Sequence, residues 1–212
     1  MKKYTDIYLL RHSKPDVPEL TFYGQSDVDV TENEFHKTVS RTKEKMDTSQ
    51  VETVFSSPLK RCSSLARAIW TNHKDIITDK RLMELDFGDW ELKHLNDIEP
   101  EKMEAWTNDF LNARVHGGES HLDLYNRVCN FWEELIKRPD NNMVVVTHGG
   151  VIRSLLSRVL QMPLKKGYSL KVHYSELILV RYFGNEQYEV EFLTAPEWGP
   201  EPYSLQTRKT QN

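Results

Sequence analysis

The stretch Met143-Val144-Val145-Val146-Thr147-His148-Gly149-Gly150 decides the fold. Met143 to Thr147 is a continuous β-rich run, the pattern of a strand buried on both faces. Val151, Ile152, Leu155, Leu156 and Val159 then recur at helical spacing and stop before Pro163. A doubly buried strand running straight into an amphipathic helix belongs in a layered α/β architecture.

Working outward, Tyr4 to Leu10 reads as a first strand. Thr31-Glu32-Asn33-Glu34 fits a capping box and predicts a helix to about Met46. Val51 to Ser56 reads as a second strand, broken at Ser57-Pro58, which suits an N-cap followed by proline at the first helical position. Leu59, Cys62, Leu65, Ala66, Ile69 and Trp70 follow at helical spacing, and Asp75 to Thr78 reads as a short strand. The polar segment around 81–118 holds Trp90, Trp106 and one helix near Glu101 to Leu111, and forms a small cap insertion. Leu122, Tyr125, Val128, Cys129, Trp132, Leu135 and Ile136 predict a strong helix over 120–137. Ser175 to Tyr182 and Tyr188 to Leu193 flank Gly184-Asn185 as a hairpin, which either closes the sheet edge or pairs with another chain as a dimer. The alternation predicts a three-layer α/β/α sandwich with a mostly parallel central sheet. One domain spans 1–195 and an irregular tail 196–212.

The whole chain carries 28 Lys and Arg against 32 Asp and Glu, a net charge of −4. A mildly acidic chain without a basic block is a poor partner for nucleic acid. No apolar run nears the roughly 20 residues of a membrane span, and no signal-peptide pattern follows Met1, so a cytoplasmic protein is expected. Cys62 and Cys129 are too few for a disulfide framework and read as core residues on apolar helical faces. The histidines outside positions 12 and 148 show no metal-ligand spacing and read as surface or structural.

In such sheets ligands bind beyond the carboxyl ends of the strands. The first strand ends in Arg11-His12, the second in Ser56-Ser57-Pro58 with Arg61 just behind, and the buried strand in His148-Gly149-Gly150. If these strands are neighbours, two arginines and two histidines converge near two helix N-termini. Arginine forks match phosphate oxygens and helix N-termini offer backbone N–H groups. A neutral histidine there is a nucleophile toward phosphorus, and the cations lower its pKa. The departing alcohol needs a proton, and the segment Met83 to Glu91 supplies carboxylates. Glu84 leads, but spacing does not choose it over Asp86, Asp89 or Glu91.

Four of these segments resemble, in order, motifs of the histidine phosphatase superfamily, which includes phosphoglycerate mutases and α-ribazole phosphatases. They are Leu9-Leu10-Arg11-His12, Ser56-Ser57-Pro58-Leu59-Lys60-Arg61, Glu84 to Glu91, and Val146-Thr147-His148-Gly149-Gly150. The resemblance covers about residues 4–195 and implies a phosphoglycerate mutase-like fold. It implies that His12 is the phosphorylated nucleophile, that Arg11, Arg61 and His148 complete the phosphate pocket, and that Glu84 is the acid and then the base. It places Gly149 at the pocket, and Tyr23 and Gly24 in the loop after the first motif. Gly118 and Glu119 fall in a loop resembling one of the phosphatase branch, which makes an α-ribazole phosphate the sharpest substrate guess. No metal or other cofactor is expected, and the partner is a small-molecule phosphomonoester. Ser13 stands where the family usually has glycine, and its hydroxyl is a further candidate phosphate contact.

The leading expectation is a metal-independent phosphomonoester hydrolase. One alternative is a mutase, but the segment Glu91 to His116 is short and acidic, with only Lys93, Lys102 and Arg114 besides two histidines. The other is a non-catalytic phosphate-binding protein on the same fold, for which an acid at Glu84 has no use.

Overall fold

The computed structural model describes residues 4–72 and 76–194. The expected tail 196–212, His73 and Asp75 lie outside the described residues. Six strands form one sheet in the order β3-β2-β4-β1-β5-β6. They are β1 (Thr5–Arg11), β2 (Thr53–Ser56), β3 (Ile76–Thr78), β4 (Asn142–Thr147), β5 (Leu177–Tyr182) and β6 (Tyr188–Phe192). β3, β2, β4 and β1 run parallel, while β5 pairs antiparallel with β1 and with β6. The hairpin therefore extends the sheet beyond β1.

The reading of β4 as doubly buried is visible residue by residue. Met143 and Val145 pack with α4 (His121–Leu135) and α5 (Gly149–Val159), whereas Val144 and Val146 face α1 (Glu32–Lys45) and α2 (Lys60–Ile69). Alternate side chains leave opposite faces of a strand, so helices cover both sides of the sheet and three layers result. A smaller cluster of Trp90, Ile98 and Val115, with Phe22, Phe87, Met103 and Trp106 against it, forms the cap; α3 (Pro100–Asn108) runs through it. The turn α6 (Leu164–Gly167) follows α5. No described helix is long and apolar enough to cross a membrane.

Two helix starts differ from expectation. Thr31 caps α1 by position only: its side chain makes no cap hydrogen bond, and Glu34 pairs with Lys37 at 3.0 Å instead of closing a box. α2 begins at Lys60 rather than Pro58. Ser57 Oγ is held by His148 Nε2 at 2.8 Å, and the Lys60 amide donates to Asp27 Oδ1 at 2.7 Å, so a distant carboxylate supplies the cap. A complete capping box forms at α4, where Ser120 and Asp123 exchange side-chain and backbone hydrogen bonds. Cys62 is fully buried, but Cys129 is only half-buried, so one of the two cysteines is core.

Register positions the site. Arg11 lies opposite Thr147, and Ser56 opposite Val146. The carboxyl ends of β2, β4 and β1 thus stand side by side, and the residues following them meet.

Candidate active site

His12 leaves β1 with its amide bonded to Thr147 O at 3.0 Å, and Ser57 leaves β2 with its amide bonded to Val146 O at 2.9 Å. The ladder continues one residue past each strand, which fixes these backbones before any side chain is considered. His12 and His148 are 1% and 0% exposed, with ring centroids 5.0 Å apart. His12 Nδ1 lies 2.7 Å from Ser13 O. A carbonyl only accepts, so the neutral ring carries its proton on Nδ1 and its lone pair on Nε2. Burial, then Arg11, then Arg61 hold the His12 pKa well below the ordinary value; burial and Arg61 do the same for His148.

The arginines are anchored by carbonyls rather than carboxylates, so they keep their charge for a ligand. Arg11 Nη1 donates to Val172 O at 2.6 Å, and its guanidinium lies 3.8 Å from the Tyr174 ring centroid. Arg61, 1% exposed, donates to Ser26 O at 2.8 Å and to Gly24 O at 2.5 Å. Arg11 Nε, Arg61 Nε and Ser13 Oγ are buried and find no partner among the described residues. Buried donors are ordinarily satisfied, so three orphans around one histidine call for an acceptor-rich ligand. Tyr23 and Tyr174 join hydroxyls at 2.9 Å beside this cradle.

Next to the cradle opens a cavity of ≈ 290 Å³, walled by Leu20, Phe22, Phe87, Leu95, His121 and Tyr168, among others. Tyr23, Gly24, Glu84 and Gly150 line it on the cradle side. Of the four carboxylates the sequence leaves open, only Glu84 reaches this cavity. Glu91 accepts from the amides of Gln25, Ser26 and Phe87 and from Ser26 Oγ, and so ties two loops together. Asp86 accepts from Gly88 N at 2.8 Å inside its own turn, and Asp89 pairs with exposed His116. Both Glu84 oxygens accept from the Gly150 amide, at 3.1 and 3.0 Å. That amide is an orphan donor of the first turn of α5. A β-carbon at Gly150 would collide with the Glu84 carboxylate, which explains the glycine.

The two helix N-termini expected to hold phosphate are therefore engaged by protein carboxylates, Asp27 at α2 and Glu84 at α5. Gly149 lies against the Arg11 guanidinium. Gly118 and Glu119 are not among the cavity walls. Gly118 packs against Asp86 O and Gly88 N, and Glu119 pairs with Arg127 at 2.8 Å. Arg127 also donates to Arg81 O and Glu84 O, so this pair braces the loop that carries Glu84 from α4. The sequence reading missed Tyr174, Arg127, His121 and Arg153. Arg153 was within reach: it lies four residues past Gly149 on α5, hence on one helical face with it. Cys62 Sγ lies 3.5 Å from His148 Nε2, and burial pushes its thiol pKa far up.

A model of the histidine phosphatase superfamily (branch 1) matches residues 7–194. Over 169 residues the chain is 29% identical to phosphoserine phosphatase 1 of Hydrogenobacter thermophilus, covering 77% of this chain and 80% of that protein. It is 32% identical over 126 residues to the adenosylcobalamin/alpha-ribazole phosphatase of Escherichia coli K12, covering 56% and 61%. The alpha-ribazole phosphatase structure from Shigella flexneri superposes with a TM-score of 0.82 at 22% identity, covering 90% of this chain and 96% of that one. A mycobacterial glucosyl-3-phosphoglycerate phosphatase superposes at 0.77 and 24% identity, covering 91% and 99%. With the strand order, the buried histidine pair and a family match across nearly all the described residues, this chain belongs to the histidine phosphatase superfamily.

Proposed function

We propose that this protein hydrolyses a small phosphomonoester through a phosphohistidine on His12, without a metal. The observation that carries the reading is the set of unpartnered buried donors, Arg11 Nε, Arg61 Nε and Ser13 Oγ, around a histidine kept neutral. In the first step His12 Nε2 attacks phosphorus, the phosphorus–oxygen bond to the leaving group breaks, and protonated Glu84 gives its proton to the departing oxygen. In the second, Glu84 takes a proton from water, the hydroxide attacks phosphorus, and the phosphorus–nitrogen bond breaks to restore neutral His12. Arg11, Arg61 and His148 stabilise charge on the equatorial oxygens. Glu84 suits both steps because it lies at the junction of cradle and cavity.

Hydrolysis is favoured over mutase transfer by the engagement of two of the cap's three cations: Lys102 pairs with Glu99 and Arg114 with Asp123. The test is a phosphate-release screen over phosphorylated metabolites, with and without EDTA. Its panel includes α-ribazole phosphate, phosphoserine, and 3-phosphoglycerate with a bisphosphoglycerate primer. Release that survives EDTA supports the reading. Isomerisation without release, or no turnover of any ester, overturns it.

A further inference from the structure

This inference rests on the phosphoryl-transfer reading above and names the class of leaving group. The cavity beyond Glu84 is largely apolar, yet one wall carries a cation. Arg153 on α5 donates Nε–H to Leu170 O at 3.0 Å, and its guanidinium lies 5.9 Å from the Tyr168 ring centroid. A β-carbon at Gly149 would sit 3.0 Å from Arg153 Nη1 and 3.2 Å from Arg11 Cζ, so the two guanidinium groups are neighbours at the mouth of the cradle. Among the described residues no carboxylate forms an ion pair with Arg153. The one carboxylate that shares its cavity, Glu84, spends both oxygens on the Gly150 amide. Burial, then Arg11, draws the Arg153 pKa below its ordinary value against a weaker opposing attraction from Glu84, but a guanidinium keeps its charge in a protein. A half-buried cation without an ion-pair partner is costly, and a ligand anion that pairs with it recovers that cost.

We infer that Arg153 holds a carboxylate on the leaving group of the substrate. Arg153 lines the cavity, and the two terminal nitrogens of its planar guanidinium can meet a planar carboxylate in two parallel hydrogen bonds. A second phosphate fits less well, because the cavity is largely apolar and its single cation balances a monoanion more fully than a dianion. Since Arg153 adjoins Arg11, the carboxylate stands only a few bonds from the ester oxygen. The remainder of the leaving group meets Phe22, Phe87 and Leu95. The class is short phosphorylated hydroxy acids, amino acids included. A flat neutral leaving group such as that of α-ribazole phosphate leaves Arg153 unpaired.

The experiment compares matched esters on the whole protein: 3-phosphoglycerate against glycerol 3-phosphate, and O-phosphoserine against phosphoethanolamine. Wild type is expected to favour the carboxylated member of each pair by roughly ten- to hundredfold in kcat/KM, the range of a charged hydrogen bond. In Arg153→Gln that ratio falls toward one, chiefly through KM, and Arg153→Lys restores part of it. A wild-type ratio near one, or an equal loss on both members in Arg153→Gln, overturns the inference. If Arg153→Gln does not fold, the wild-type and lysine ratios still decide. If no ester is turned over, the proposed function fails separately, and calorimetric binding of the same four esters to His12→Asn reads the ratio alone.

Discussion

The phosphate cradle and the cavity beside it are neighbours built on opposite principles. The cradle hangs from the ends of three adjacent strands, and its side chains are pinned by backbone carbonyls at Ser13, Gly24, Ser26 and Val172. The cavity is walled largely by irregular segments, the loop at 20–24 and the stretch from Glu84 to Leu95, with α4 and α5 behind. Sheet register dictates the first region. The second depends on how a small cap packs its aromatic cluster. The proposed chemistry is therefore framed by the sheet, and the proposed choice of leaving group falls to the loops and the cap packed beside it.

The sharpest way to break this division is at His12. His12→Ala is expected to lower turnover of every ester by at least about 10⁴-fold, as removal of a nucleophile does. Wild type exposed to substrate should carry an acid-labile phosphate that the variant lacks. Residual turnover near wild type would remove His12 from the chemistry. Glu84→Gln sits on the boundary and should cost about 10²–10⁴-fold on alkyl phosphates. The loss should be much smaller on p-nitrophenyl phosphate, whose leaving group needs no proton. Equal losses on both would mean that Glu84 is not the acid. Gly150→Ala displaces that carboxylate without touching the cradle; a shift on the order of 1 Å is expected to cost about 10²-fold in kcat.

Within the cavity the effects should be smaller and selective. Leu95→Ala is expected to raise KM for the preferred ester by about tenfold with kcat nearly unchanged. A matching fall in kcat would show that the two regions are not separable. The last comparison is with pH. Burial depresses the pKa values of His12, His148 and, to about 4, His121. Below pH 6.5 the unfolded chain takes up protons that the folded chain refuses. Stability is thus complete above pH 6.5 and declines as pH falls toward the folded values. Calorimetry should show Tm at pH 5 lower than at pH 7 by at least about 4 °C. His121→Phe should remove only the cavity's share of that drop, and a flat Tm would contradict the burial argument.

How much of this was legible beforehand follows the same line. The doubly buried β4, the helix behind it, and the cradle residues at strand ends could be read from periodicity, because regular elements write their environment into spacing. The start of α2 could not, since it is set by Asp27 reaching from another loop. Nor could the choice among Glu84, Asp86, Asp89 and Glu91, which depends on which carboxylate a remote amide or loop claims. His121 looked like any second residue of a helix until Phe110 O bonded its Nδ1 at 2.8 Å and turned it into a cavity wall. Gly118 and Glu119, expected near substrate from their loop, lie outside the cavity walls, and Glu119 meets Arg127 and the Asp86 amide.

Cys62 gives the buried site an experimental handle. Its sulfur stands beside His148, fully enclosed and kept as a thiol rather than a thiolate. Burial raises both thiols, so the difference is access: half-buried Cys129 should be alkylated slowly, and fully enclosed Cys62 should be inert in the native protein. The slow appearance of label at Cys62 then times the opening of the core around the candidate site, a molecular stopwatch for how often the buried histidine pair meets bulk water.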